Sequence, residues 1–300
     1  MSASLREALR RGPVVLDGGL ATELEAQGHD LSSALWSARL LADDPDAIVA
    51  AHGAYFAAGA QVATTASYQA AGLPDALRTS VRLAERARAA ADSHPRWIAG
   101  SVGPYGASRA DGSEYRGDYG LTVAELRAWH RPTIAVLAEA GADLLACETI
   151  PCLAEVEALL AEIDGSGIDC WLSLTCDQGR TRAGESVAEA YAMARDVDEI
   201  LAVGVNCTAP EEVGALVRTA AQVSELPVVV YPNGGEEWDA VRRTWVGPSC
   251  FDAAAFDAGQ VQAWVADGAR LVGGCCRVGP AEIARIRQTL ESVPGPSGTD

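Results

Sequence analysis

One junction is written three times along the chain. Ala58-Gly59-Ala60 leads into Gln61-Val62-Ala63-Thr64-Thr65, Ala140-Gly141-Ala142-Asp143 into Leu144-Leu145-Ala146-Cys147, and Asp267-Gly268-Ala269-Arg270 into Leu271-Val272. Each reads as the end of a helix, a glycine free to take the left-handed cap, and then a buried strand. A junction that recurs this way implies a repeating β/α chain. Apolar runs at 13–16, 61–65, 97–102, 144–148, 170–174, 201–207, 227–231 and 269–277 supply eight strands. Helical segments follow them at 45–58, 75–91, from Thr122, from about Leu153, at 186–195, from Pro210, at 252–266 and from Pro280. Start signals are clear at Asp44-Pro45 and at the capping box Thr122/Glu125. Pro132 is expected to kink its helix. Strict alternation predicts parallel strands, and eight of them in about 290 residues fit an α/β fold of the single (β/α)8 TIM-barrel type. An open doubly wound sheet is the alternative, but no Gly-x-Gly-x-x-Gly follows the first strand. The expected domain is 1–293, with 294–300 (Pro-Gly-Pro-Ser-Gly-Thr-Asp) a disordered tail.

Composition matters mainly for what it excludes. All 23 basic residues are arginine, so Schiff-base, pyridoxal-phosphate and P-loop chemistry lack their lysine. A net charge of −18 argues against nucleic acid and anionic membranes as partners. No apolar signal core stands at the N-terminus, and no apolar run reaches membrane-spanning length. A reducing cytoplasm is therefore the expected location, and it keeps thiols free for metal.

In a barrel the C-terminal strand ends converge on one mouth. Read there, the sequence places Asp17, Thr65 with Tyr68, Gly103, Glu148, Asn206-Cys207, Asn233 and Cys275-Cys276 together. Three strand-end cysteines suit a zinc ion with an open fourth position. A vicinal disulfide, structural zinc in a non-catalytic protein, and plain burial are the competing readings. A zinc hydrolase or lyase would want histidine or carboxylate ligands. Three thiolates already neutralise the metal, so such a site activates water poorly. It is better suited to ionising another thiol, whose free pKa is about 8.5, and to alkyl transfer. Cys147, Cys152, Cys170, Cys176 and Cys250 read as packing residues, and His52 as core. The long segment 103–120 is expected to be functional.

Taken together, the motifs resemble the zinc-dependent homocysteine S-methyltransferases. The matches are Asp17-Gly18-Gly19 with Glu23-Leu24, Thr65-Ala-Ser-Tyr68-Gln69, Gly100-Ser-Val-Gly103-Pro-Tyr105-Gly106 and Asp111-Gly-Ser-Glu114-Tyr115. They continue with Glu148-Thr149-Ile150-Pro151, Gly204-Val-Asn206-Cys207, Tyr231-Pro232-Asn233 and Gly273-Gly-Cys275-Cys276-Arg277. The resemblance implies zinc on Cys207, Cys275 and Cys276, with homocysteine thiolate as fourth ligand and no separate general acid or base. It implies that Asp17 and Glu148 hold the substrate ammonium and that backbone N–H groups around Gly18 and Gly19 take its carboxylate. Thr65, Tyr68 and Asn206 complete the substrate contacts. The expected reaction forms methionine by methyl transfer from a sulfonium donor, S-methylmethionine and more slowly S-adenosylmethionine. Asn233 and Glu236, with Glu237 and Trp238 nearby, are expected on the donor side. Selenohomocysteine or selenocysteine as acceptor, or betaine as donor, are alternatives. Val278-Gly279 departs from the two threonines that relatives of that branch often carry.

Overall fold

A computed structural model of the chain describes residues 3–29, 36–235, 237–239, 244–246 and 258–292. Eight parallel strands form one sheet: β1 Val14–Val15, β2 Val62–Thr64, β3 Trp97–Val102, β4 Leu144–Ile150, β5 Cys170–Leu174, β6 Ile200–Asn206, β7 Val228–Tyr231 and β8 Ala269–Val272. Each strand pairs with its neighbour in sequence, and β8 pairs with β1 through Val14–Leu271 and Val15–Val272. The ring closes between β1 and β2 by a Leu16–Val62 bridge and by the Gln61 N–H donating to the Val15 carbonyl at 2.8 Å. This is the expected (β/α)8 barrel, with a parallel register throughout.

Eleven helices are described: α1 Leu5–Arg11, α2 Leu20–Ala26, α3 Trp36–Asp43, α4 Pro45–Ala58, α5 Pro74–Ala90, α6 Val123–Glu139, α7 Leu153–Ile163, α8 Val187–Ala194, α9 Pro210–Ser224, α10 Ala258–Ala266 and α11 Pro280–Ser292. The eight from α4 onward alternate with the strands. The cap signals act as read: Asp44 accepts from the Ala47 N–H, and Thr122 and Glu125 form the reciprocal capping box. Gly59 takes the left-handed cap at φ 105°. Helix α6 runs unbroken through Pro132. No described helix is long and apolar enough to cross a membrane.

Two apolar layers hold the barrel. The outer one packs the strands' outward side chains against the helices. The inner one follows a period of two: Trp97 and Ala99 on β3, Leu144 and Ala146 on β4, Trp171 on β5, Val229 on β7 and Leu271 on β8. Leu5 and Leu9 of α1 join this inner cluster, so α1 closes the lower end of the barrel. Each leucine contributes about 1.5–3 kcal/mol by leaving water. Continuing the same alternation upward replaces apolar residues by Ser101, Glu148, Ser173 and Tyr231. The period that builds the core thus also delivers a polar floor to the mouth.

Three sequence-based boundaries change. The connection from 17 to 44 holds α2 and α3 rather than plain loop, and α1 was not anticipated. Strand β8 stops at Val272 rather than running through the cysteines. A Cβ on Gly273 would stand 2.6 Å from the Asp17 carbonyl, and one on Gly274 would stand 2.1 Å from a Val278 methyl. The chain turns over strand β1 there, carrying Cys275 and Cys276 onto the loop beyond. The segment expected to be a tail, 294–300, lies outside the described residues, as does the start of the expected helix 252–266.

Candidate active site at the barrel mouth

The mouth cavity is lined by Asp17, Gly18, Gly19, Thr65, Tyr68, Glu114, Tyr115, Glu148, Tyr231, Cys207, Cys275 and Cys276, among others. Sequence reasoning placed most of these together, and the structure brings them to one pocket. The three thiols are a tight group. Cys207 Sγ stands 3.3 Å from Cys275 Sγ and 3.8 Å from Cys276 Sγ, and the last two are 3.9 Å apart. These separations are far from the ~2.05 Å of a disulfide. They approximate one face of a tetrahedron, whose edge is about 3.8 Å for a zinc–sulfur bond of about 2.3 Å. Among the described residues this is the cluster able to hold a metal, and it offers three protein ligands, not four. Mutual hydrogen bonds from Cys275 and Cys276 hold the Cys207 thiol well below the usual range and push theirs well above it. The trio therefore holds its first negative charge readily on Cys207.

The backbone supports this group under strain. Cys207 has φ 49°, Thr149 φ 61° and Arg277 φ 67°, all left-handed and none of them glycine. For a β-branched threonine such a value is uncommon, and it persists only where surrounding contacts over-determine it. Asn206 provides those contacts. Its Oδ1 accepts from the Thr149 N–H at 2.7 Å and from Ser173 Oγ at 2.8 Å, and its Nδ2 donates to Thr149 Oγ1 at 2.8 Å. Asn206 is fully buried and its side chain does not line the cavity. The expected substrate contact is thus spent internally, fixing the ends of β4 and β6 against each other.

The carboxylates are held differently. Asp17 accepts from the Thr64 N–H at 2.7 Å and from Thr64 Oγ1 at 3.0 Å. Burial nevertheless pushes its pKa up to about 8, with Glu148 adding repulsion. Glu148 receives Ser101 Oγ, and burial raises it to about 7 against the opposing effect of the Ser101 and Tyr231 hydroxyls. Each is therefore a group that would welcome a cation. Thr65 lines the cavity, but its hydroxyl is shared with Ser67 Oγ at 2.7 Å and the Ser101 N–H at 3.0 Å.

The glycines permit close packing. A Cβ on Gly19 would stand 2.6 Å from the Cys275 carbonyl. The Gly19 N–H already donates to the Val278 carbonyl at 2.9 Å. It is therefore not available to a ligand, contrary to the expectation for that amide. The first-turn residues of α2, Leu20, Ala21 and Thr22, line the same wall, and no side chain caps that helix. Val278 is buried against Gly274 and does not line the cavity, so its departure from the threonine pattern leaves the lining unchanged.

Asn233 is half-buried outside the cavity lining, with Oδ1 lacking a partner among the described residues. Glu236 lies outside the described residues, and of the side chains of Glu237 and Trp238 nothing is described. Cys147, Cys152, Cys170 and Cys176 are buried and do not line the cavity, and His52 is fully buried with neither ring nitrogen hydrogen-bonded among the described residues. Cys250 lies outside the described residues. Sequence reasoning missed Glu114 and Tyr115 as pocket residues. Both stand on the 103–120 segment, which folds as two short 3-10 turns, Tyr105–Arg109 and Ser113–Tyr115. A Cβ on Gly106 would meet the Glu114 amide at 2.3 Å, so that glycine lets the segment double back over the mouth. Tyr115 Oη then lies 3.5 Å from Cys207 Sγ.

Comparison with known proteins matches this architecture over nearly its whole length. The homocysteine S-methyltransferase family model matches residues 14–290. A homocysteine S-methyltransferase of Escherichia coli is 43% identical over 295 residues, covering 91% of this chain and 94% of that protein. A selenocysteine Se-methyltransferase of Brassica oleracea is 38% identical, covering 96% of each. The crystal structure of the E. coli homocysteine methyltransferase in its metallated form superimposes with a TM-score of 0.83 at 39% identity, covering 95% of this chain and 99% of that one. With the match running from the first strand to the last helix, the chain is a methyltransferase and belongs to the homocysteine S-methyltransferase family.

Proposed function

We propose that the chain transfers a methyl group from a sulfonium donor, S-methylmethionine in the first place, to the sulfur of homocysteine, forming methionine. The observation that carries this reading is the three-thiol face at the mouth, with its open side toward a cavity flanked by buried carboxylates. The donor set fits zinc in type, number and spacing, with Cys207, Cys275 and Cys276 as its ligands. Zinc bound there would lower the pKa of an incoming thiol and keep its sulfur nucleophilic at neutral pH.

The protein's own groups do the positioning. Asp17 and Glu148 receive the ammonium of homocysteine, and in doing so regain the charge that burial suppresses. The amides of the α2 first turn receive its carboxylate. Tyr68 and Thr65 bound the channel that aims the acceptor sulfur at the thiol face. In the transfer itself the donor's methyl–sulfur bond breaks as a new sulfur–methyl bond forms. The leaving group is a neutral thioether, so no general acid is called for, and none is assigned. Asn206 acts by holding Thr149 and Cys207, and Asn233 and Glu236 are retained on the donor side.

The selenocysteine-methylating relative favours a second acceptor reading, in which a selenol takes the thiol's place. The test is methionine formation from homocysteine with S-methylmethionine, S-adenosylmethionine, betaine and methylfolate in turn, repeated with selenocysteine as acceptor. S-methylmethionine should be the fastest donor. A clear preference for betaine would overturn the donor assignment, and no methyl transfer with any donor would overturn the function. The protein is expected to act in the cytoplasm as one barrel domain of residues 1–293.

A further inference from the structure

Four carboxylates line the mouth cavity; Glu25 is exposed and attracted by Arg277, and of the three buried ones two are served by the protein. Asp17 has the Thr64 amide and hydroxyl, and Glu148 has Ser101. The third, Glu114, is equally buried at 8% exposure, yet its Oε2 is sealed from solvent without a partner among the described residues. Its own backbone N–H is the donor that helps its charge most, and Arg116 attracts it weakly. A carboxylate this buried and this poorly solvated is costly to keep ionised unless a cation completes it. Among the described residues the cavity lining holds no arginine or histidine, and the chain contains no lysine; Arg182, which acts on Cys207, is not part of the lining and lies over the Tyr115 ring. No described side chain of the lining supplies that cation, which leaves it to a ligand.

Place in the chain separates Glu114 from the other two. Cys207 acts on both Glu148 and Glu114, but Glu114 alone of the three is carried by the segment that Gly106 folds back over the mouth. It stands beside Tyr115, whose hydroxyl touches Cys207 Sγ. Tyr68 and Tyr115 line the same cavity, and aromatic rings attract cations, as the Arg182 guanidinium 5.4 Å from the Tyr115 ring centroid already illustrates.

From this we infer that Glu114 is the residue that recognises the positive charge on the donor's sulfur, and so selects a sulfonium over a neutral analogue of the same shape. The inference rests on the methyl-transfer reading above and adds to it the residue that sets donor specificity. The 103–120 segment becomes the donor wall, with the Asp17–Glu148 pair on the acceptor side.

The experiment separates charge from shape. Zinc-loaded protein is titrated calorimetrically, without homocysteine, with S-methylmethionine and with 2-amino-5-methylhexanoate, in which carbon replaces the sulfonium sulfur. Wild type should bind the sulfonium at least about tenfold more tightly, the scale of one charge-assisted contact. Glu114→Gln should bring the two ligands within about threefold of each other, with zinc content and homocysteine binding kept. Glu114→Asp, which keeps the charge, should recover part of the preference. Glu114→Ala gives the same reading if the glutamine variant does not fold. A wild-type preference that survives loss of the carboxylate, or a wild type without preference, overturns the inference while methyl transfer stands. Absence of methyl transfer from any donor in the wild type overturns the underlying reading, and is measured separately from these titrations.

Discussion

Replacing Asn206 by alanine should destabilise the protein before it changes any substrate constant. The side chain is fully buried and makes three hydrogen bonds of 2.7–2.8 Å, two to Thr149 and one to Ser173. Each contributes about 1 kcal/mol net. Ser173 keeps a partner in Tyr231 at 2.7 Å, but the buried Thr149 N–H is left without one, which adds about 1–3 kcal/mol. Thr149 is also released from φ 61°, which recovers part of the strain. The sum is a loss of roughly 3–5 kcal/mol, or a fall in Tm of roughly 5–8 °C for a chain of this length. The assay is thermal and urea unfolding of reduced, chelator-treated Asn206→Ala beside wild type, so that metal loss does not enter. A loss below about 1 kcal/mol, combined with a raised KM for homocysteine, would refute the reasoning and restore Asn206 to the substrate.

The remaining predictions concern the site itself. Protein purified under reducing conditions should carry about one zinc per chain by elemental analysis, and Cys207→Ser, Cys275→Ser or Cys276→Ser should lose metal and activity together. Full activity in a metal-free preparation would end that assignment. Asp17→Asn and Glu148→Gln should each raise the homocysteine KM by roughly ten- to hundredfold with zinc retained, as loss of one charge-assisted contact requires. Loss of zinc instead would reassign the residue to the metal. In metal-free protein without substrate, Asp17 has a folded pKa of about 8 against 3.8 in the unfolded chain. Its contribution is complete below pH 4 and lost as pH rises through about 8, so the denaturation midpoint should fall across that window. Asp17→Asn should flatten the slope, and an unchanged slope would show that Asp17 is not the titrating group.

The barrel was legible because eight apolar runs and a thrice-repeated helix–glycine–strand junction leave little room for another alternation. The site was legible for a related reason: in a barrel the C-terminal strand ends converge on one mouth, so Asp17, Glu148 and the cysteines could be placed together before any contact was known. What escaped were elements without an apolar run. Helix α1 is only seven residues long, although Ser4 and Glu7 form a capping box and Leu5 and Leu9 share a face that seals the barrel. Glu114 escaped because its burial depends on how 103–120 folds back, and that depends on close approach at Gly106 rather than on any periodic pattern. Asn206 was placed correctly at a strand end yet given the wrong neighbours. Position along a strand does not reveal that its amide spans to Thr149 and Ser173.

Charge gives these observations a common sense. Asp17, Glu148 and Glu114 share one cavity with three thiols, and among the described residues none of the side chains lining it is basic. By itself such a pocket resists ionisation, and burial accordingly pushes Asp17 up to about 8 and Glu114 and Glu148 up to about 7. A divalent metal, the ammonium of an amino acid and a sulfonium each bring the positive charge that the pocket lacks. Each entering cation lowers the cost of ionising the acids around it, which in turn strengthens the attraction for that cation. An anionic or neutral molecule of the same shape meets only desolvated acids, which return nothing for the water it gives up. A site made of acids and thiols without a base thus favours cationic sulfur compounds by what it omits, and the absence of lysine from the whole chain accords with that choice.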